Sequence, residues 1–274
     1  MNRVALLHSG GKDSVLALAA LRCDPAIDAV TLITTFTEGD DRVTMHRVRR
    51  PLIEAQAASL RCELTAVHVP HGASNVIYEH AMNRAVASLR DTGIETIATG
   101  DLHLDSIRAY REAWLARLGM RALFPLWGRP PSTIVREFIE GQYRAIAICI
   151  DHTRMRPESV GREMNKAWFD ALLPGVDPSG EGGEYHSFVH DGPGFAFPIP
   201  IASQAIHRDD RFSFADLEPG HCSTCAQCSA PFTCGAEIRT AHCWCMTAPP
   251  VALDQDQATC ICPRCLARRK APAA

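Results

Sequence analysis

Long apolar runs are missing from this chain of 274 residues, and no segment reaches the roughly 20 residues a membrane-spanning helix needs. The first residues lack the charged-then-apolar pattern of a secretory leader, so the expectation is a cytoplasmic protein with no membrane partner. Charge of one sign is lacking too. A formal net charge of −3 exerts no global pull toward nucleic acid or lipid, and binding to either would need a local patch. Cysteine is scarce before position 222, where only Cys23, Cys62 and Cys149 occur. That excludes a disulfide framework there, and Cys23 and Cys62 read as core residues. A glycine is lacking at position 6, where Leu6 stands five residues before Gly11-Lys12. Its absence excludes a Walker A loop, and the GxGxxG pattern is not present there either.

What is present begins at Val4. VALLHSGGKDS joins an apolar run fit for a buried parallel strand to Ser9, Gly10, Gly11, Lys12, Asp13 and Ser14, after which Val15, Leu16, Leu18, Ala19 and Leu21 recur at helical spacing. A strand, a tight loop and a helix N-terminus gather unpaired N–H groups and the positive end of the helix dipole at one point. The glycines let the backbone approach a bulky anion, and Lys12 adds a mobile cation. The loop reads as a polyphosphate site.

Apolar, β-rich runs then alternate with helical patterns as far as Asp151. Strands are predicted at Val4–His8, Ala29–Phe36, Glu63–Val69, Thr96–Thr99, Ala122–Leu126 and Ala145–Ile150, and helices at Ser14–Leu21, Pro51–Leu60, Ser74–Arg90, Ser106–Leu118 and Thr133–Glu140. Repeated β-α units predict an α/β fold, a parallel sheet with helices on both faces and ligands at the carboxyl ends of its strands. Thr99, Gly100 and Asp101 meet that rule. Gly100 would let a nucleotide approach the backbone; Asp101 could hold a ribose hydroxyl, a magnesium ion or a helix N-terminus. From 152 to 215 the pattern loosens into a smaller subdomain with one helix candidate, Asn165–Leu173. It carries DPSGEGGEYHSFV, which sets Glu181, Glu184, Tyr185 and His186 around Gly182 and Gly183. A turn by itself rarely needs two carboxylates, a phenol and an imidazole within six residues, so this segment is a site candidate.

SGGKDS resembles the PP-loop of ATP pyrophosphatases. Together with TGD, FPLW (Phe124–Trp127) and GEGGEYHSFV in this order, it makes about three quarters of the chain resemble the diphthine–ammonia ligase family, with IRAYRE (Ile107–Glu112) closest to its bacterial, adenine nucleotide α-hydrolase-like branch. The resemblance implies a Rossmann-like, HUP-type domain over 1–151. It implies that Ser9 to Ser14, Gly100 and Asp101 hold ATP and that Lys12, Asp13, Glu181, Glu184 and His186 carry the chemistry, with Gly182, Gly183 and Tyr185 on the acceptor side. The implied reaction adenylates a carboxylate with ATP and Mg2+, releases pyrophosphate, and lets ammonia displace AMP; the acceptor could sit on a protein. Arg108 and Arg111 are candidates for binding an anionic acceptor, or they form a solvated helix face. Ser179 stands where many relatives have cysteine.

Asp209–Gly220 reads as a linker. Beyond it, over 221–266, lie nine cysteines counting Cys222. Cys225, Cys228, Cys234, Cys243, Cys245, Cys260, Cys262 and Cys265 match two zinc sites of four thiolates each in a zinc-ribbon-like module, and the module resembles cysteine-rich domains with a Cys-Trp-Cys signature. So small a module would draw much of its folding free energy from metal. Arg239, Arg264, Arg268, Arg269 and Lys270 outnumber the acids Glu237, Asp254 and Asp256 there; this could dock an RNA or a protein, or serve solubility. RNA thiolation and nucleotide sensing are the alternative functions, both less favoured because GEGGEYH has no role in thiolation and the intact carboxylates argue for turnover.

Overall fold

The computed structural model describes residues 2–202, 205–220, 223–228, 231–232, 261 and 265. The elements run β1 (Arg3–Leu7), α1 (Lys12–Cys23), β2 (Ala29–Thr37), β3 (Arg42–Val43), α2 (Arg50–Ser59), β4 (Glu63–Val69), α3 (Asn75–Asp91), β5 (Thr96–Ala98), α4 (Asp105–Arg117), β6 (Arg121–Leu123), α5 (Pro131–Glu140) and β7 (Arg144–Asp151). They continue with α6 (Lys166–Asp170), β8 (Tyr185–Asp191), β9 (Ile201–Ala202), β10 (Ile206–Arg208), β11 (Phe212–Ala215), β12 (Glu218–Pro219), β13 (Ser223–Thr224) and β14 (Pro231–Phe232). Helix starts follow local chemistry: Ser74 Oγ caps the Ile77 N–H, Asn165 caps Trp168, and proline opens α2 and α5.

The first sheet pairs β1, β2, β4, β5 and β6 in parallel. Alternation along β1 divides its side chains between two cores. Val4 and Leu6 pack with α1, α2 and α5, while Ala5 packs with α3 and α4 on the other face. The chain builds outward from β1 through β2 to β4, then returns to place β5 and β6 on its other side. The crevice above β1 and β5 is therefore the switch point of the sheet. β3 is antiparallel to β2 at Phe36 and Thr37. Because β4 occupies the opposite edge of those residues, β3 lies beyond the end of β1, and the chain that follows it roofs the loop at Ser9.

Three expectations are corrected. The run at Ala145–Ile150 is a strand, but β7 belongs to a second, antiparallel sheet ordered β10-β11-β7-β8. An apolar run marks burial on both faces and carries no information about its pairing partner. The stretch Asp209–Gly220 is not a linker, since it contains β11 paired to β7 and β12 paired to β9. Its alternation, with Ser213 and Ala215 buried between the half-buried Phe212 and Phe214, is a short strand pattern between charged flanks. Cys23 is exposed and Cys62 half-buried, so neither is a core residue.

Candidate active site at the PP-loop

β1 delivers Ser9–Ser14 to the switch point, where α1 begins at Lys12 with Gly11 as its N-cap. Gly10 is required twice over: its φ is +83°, and a Cβ would stand 2.6 Å from Ile53 Cδ1. The Gly11 N–H donates to Ser9 Oγ (3.3 Å) and the Lys12 N–H to Ser187 Oγ (3.0 Å). Among the described residues the Ser14 N–H has no hydrogen-bond partner and the Asp13 N–H serves only its own carboxylate, which leaves the positive end of α1 open to an anion. Gly100 lines the cavity and also permits a close approach to this helix, because its Cβ would lie 3.0 Å from the Asp13 carbonyl carbon.

Lys12 is only 1% exposed, so the expected mobile cation is a buried anchor. Its Nζ donates to both Asp13 carboxylate oxygens (2.7 and 2.9 Å) and to the Ser179 carbonyl, and lies 5.3 Å from the Tyr185 ring centroid. The Val189 N–H donates to Gly10 O at 2.9 Å. Gln56, fully buried on α2, donates through Nε2 to Gly10 O (3.1 Å) and Val189 O. β8 of the second sheet is thus stitched along the phosphate loop. The β7–β8 register slips between Ala147 and Cys149. Beside this bulge, Tyr185, His186 and Ser187 all line one cavity of about 300 Å3 with Ser9, Gly11, Lys12, Asp13, Ser14, Gly100, Asp101, Arg111 and Glu181.

Glu181 accepts from the N–H groups of Leu102 (2.7 Å) and His103 (3.0 Å), clamping the glycine-rich turn to the loop after β5. Glu184 lies outside the cavity lining, 2% exposed, with Arg154 Nη2 2.7 Å from its Oε1. Gly182 and Gly183 form the turn beside it and do not line the cavity. Asp101 does not cap α4, whose N-cap is Leu104; its Oδ2 accepts from Thr99 Oγ1 and Arg111 Nε, both at 2.6 Å. The two candidate arginines separate. Arg111 lines the cavity, whereas Arg108 pairs with Glu112 (2.8 Å) and stacks over Trp127 and Phe124 of FPLW at 4.8 and 5.2 Å.

Two family models, described as the diphthamide synthase N-terminal and C-terminal domains, match residues 2–122 and 130–221, and together they span well over half the chain. The chain belongs to the diphthamide synthase family. A cysteine-rich CWC model matches residues 225–267. A Mus musculus relative named diphthine–ammonia ligase is 28% identical over 236 residues, covering 77% of this chain and 88% of the relative. The Homo sapiens protein of the same name is 26% identical over 242 residues with the same coverage. Among solved structures, a predicted subunit of tRNA methyltransferase from Methanocaldococcus jannaschii aligns at 20% identity and TM-score 0.36 over 55% of this chain and 78% of that one. A U34-tRNA thiolase from Methanococcus maripaludis aligns at 18% and 0.33 over 50% of this chain and 57% of that one.

The chain also lines its cavity with three histidines, of which only His186 stands in a recognisable motif. The ring of His46 lies 4.2 Å from that of His186. Burial pushes His186 down to about 4, with the Lys12 charge adding to the effect, and holds His46 well below its ordinary value. His8 Nε2 donates to Gln56 Oε1 at 2.6 Å, since both Gln56 amide protons are committed to carbonyls, and its Nδ1 is a buried acceptor without a partner among the described residues. His8, His46 and Gln56 escaped sequence reasoning because a lone histidine or glutamine in an apolar pattern reads as core; a glutamine on the buried face of α2 was the available signal.

Burial lowers His8 from 6.5 to about 4, so the folded chain keeps it neutral where the unfolded chain takes up a proton. Its contribution to stability is complete above pH 6.5 and is lost as pH falls toward 4. Urea unfolding of the wild type is expected to weaken over that window by roughly 3 kcal/mol from this residue. His186 and His46, also lowered by burial, add to the same slope, so His8→Asn should make the profile shallower by one histidine's share, and an unchanged slope would refute the assignment.

Two groups have metal-ligand character. The Sγ atoms of Cys225, Cys228 and Cys265 lie within 4.8 Å of one another and could hold a metal ion; Cys234, Cys243, Cys245, Cys260 and Cys262 lie outside the described residues. His103, Asp177 and Glu181 converge equally closely, with His103 Nδ1 2.6 Å from Glu181 Oε2. Asp177 Oδ2 is buried with no hydrogen-bond partner among the described residues, and such an orphaned acceptor fits a divalent cation. No helix among the described residues is long and apolar enough to cross a membrane.

Proposed function

We propose that this chain is an ATP-dependent, AMP- and pyrophosphate-forming ligase that adenylates a carboxylate and amidates it with ammonia, on an acceptor that can differ from diphthine. The observation that supports this reading best is the seam between the phosphate loop and GEGGEYHSFV, where Lys12 meets Ser179 and Ser187 and Gly10 meets Val189. An anion site and a pair of neutral imidazoles therefore share one cavity, as a reaction that first activates a carboxylate and then admits an amine requires.

In this reading the amides at the open start of α1 bind ATP phosphate oxygens as the acceptor carboxylate attacks the α-phosphorus and the bond to pyrophosphate breaks. The carboxylates of Asp177 and Glu181, beside His103, could hold magnesium, which when bound would neutralise charge on the leaving pyrophosphate. Ammonia then attacks the acyl carbon and AMP leaves. His186, held neutral, accepts the proton shed as the C–N bond forms. Asp13 keeps Lys12 in place, Arg111 and Asp101 fix the wall above β5, and Glu181 and Glu184 position the turn.

Thiolation fits less well: Cys149 is buried and its thiol is pushed up to about 12, the reverse of a reactive thiolate. The cysteine cluster is read as structural zinc, two ions when all eight predicted ligands are counted, in a reducing cytosol. Removing metal with a chelator is expected to release zinc while the thermal unfolding of residues 2–220 keeps its midpoint. A joint collapse would show that the two parts fold as one.

The deciding experiment incubates the full chain with ATP labelled on its α-phosphate, Mg2+ and ammonium, with and without cell extract. AMP and pyrophosphate stimulated by extract support the ligase. ADP, or bound ATP that never turns over, overturns it in favour of a kinase-like side activity or a nucleotide sensor.

A further inference from the structure

A second cavity, of about 290 Å3, opens beside the first, lined by Arg42, His46, Arg47, Ile148, His207, Arg208, Asp209, Phe214, Ala215 and Asp216. His46 belongs to both linings, so the two cavities lie on either side of one side chain. The acids here are already satisfied. Asp216 receives bidentate bonds from Arg42 (2.7 and 3.0 Å) and from Arg49 (3.0 and 2.6 Å), and Asp209 Oδ1 accepts from the N–H groups of Arg211 and Phe212 at 2.9 and 2.6 Å. Arg47 and Arg208 are exposed and have no ion-pair partner among the described residues. Arg47 is held at φ +57°, unusual for a non-glycine residue, with its guanidinium 5.4 Å from the Phe214 ring centroid. Strained backbone, an apolar floor of Ile148, Phe214 and Ala215, and two uncommitted guanidinium forks together make a receptor for an oxyanion on a short carbon chain.

Resting on the ligase reading, we infer that this cavity binds the acceptor, and that the acceptor is a dianion: the carboxylate to be adenylated enters the phosphate-loop cavity past His46, while a second carboxylate or phosphate is held by Arg47 and Arg208. A space of this size takes an acidic group with a few carbons. The acid could be a free metabolite or an acidic peptide side chain, and the chemistry is the same.

The test titrates the full chain, saturated with α,β-methylene ATP and Mg2+, with glutarate, with a blocked Glu-Glu dipeptide and with propionate. At least one dianion is expected to bind tenfold or more tightly than propionate, glutarate leading if the acceptor is a free acid and the dipeptide leading if it is protein-borne. Arg47→Asn, a side chain that tolerates the left-handed backbone, combined with Arg208→Gln should abolish the preference and leave affinity for the ATP analogue unchanged. Equal binding of all three acids, or a preference that survives in the double variant, overturns the inference. The titrations are repeated without nucleotide. A dianion preference that persists in a chain unable to bind the ATP analogue supports the anion cavity and counts against the ligase reading alone.

Discussion

Lys12→Ala is expected to lower AMP formation on the order of 10² to 10³-fold, the range found when one charge-stabilising donor is removed from an active site. The side chain does not reach toward solvent as a free cation. It is packed against Tyr185 and ties the Asp13 carboxylate to the Ser179 carbonyl. Its loss therefore removes positive charge behind the phosphate loop and cuts a bond that holds the GEGGEYH turn. Asp13, whose pKa burial raises against the opposing pull of Lys12, loses the counter-charge that keeps it ionised. Lys12→Arg should not rescue turnover, because a planar guanidinium does not fit a site that is 1% exposed and shaped for an ammonium. Steady-state turnover beside binding of an ATP analogue reads both effects. Wild-type turnover in Lys12→Ala would remove the phosphate loop from the chemistry.

Gln56→Leu is the second large effect. One amide satisfies His8 Nε2, Gly10 O and Val189 O in a place sealed from water. A leucine of similar volume fills the space but takes away the partner of His8 Nε2 and a donor of Val189 O, while Gly10 O keeps only the Val189 N–H; the cost is about 1–3 kcal/mol for each group left without another partner. Val189 O and Gly10 O flank the seam between β8 and the phosphate loop, so the variant should also loosen nucleotide binding. A loss of about 3 kcal/mol or more in urea unfolding, with weakened affinity for an ATP analogue, is expected. A change within the roughly 0.5 kcal/mol typical of surface substitutions would show that the seam does not depend on this amide.

The elements on the phosphate-loop side were legible because their signals are local. Apolar runs, helical spacing and the Ser and Pro starts are all within reach of neighbouring residues, and predicted strands and helices agree with β1, β2, β4 and β5 and with α1 to α5 to within about three residues at each end. The SGGKDS loop announces its anion site for the same reason, since strand, glycines and helix N-terminus are consecutive in the chain. β11 is hard to read because it is only four residues long and lies between the charged residues Asp209, Asp210, Arg211 and Asp216, and β7 is assigned to the wrong sheet because hydrophobicity reports burial and is blind to which strand lies alongside.

By itself, the sequence determined an α/β chain with a polyphosphate loop at its first strand, a second chemical motif near position 184 and a terminal cluster of thiols. Only the tertiary structure decided how these meet. Antiparallel pairing of β7 with β8 carries GEGGEYH onto the phosphate loop across more than 170 residues of separation, turning Lys12 into an anchor and Glu184 into Arg154's partner. The pairing of β3 with β2 brings His46 over β8, where its ring meets that of His186 and lines both cavities. Long-range contacts of this kind depend on which of many compatible surfaces pack together, and that choice is made by the summed burial of both cores rather than by any short stretch of residues.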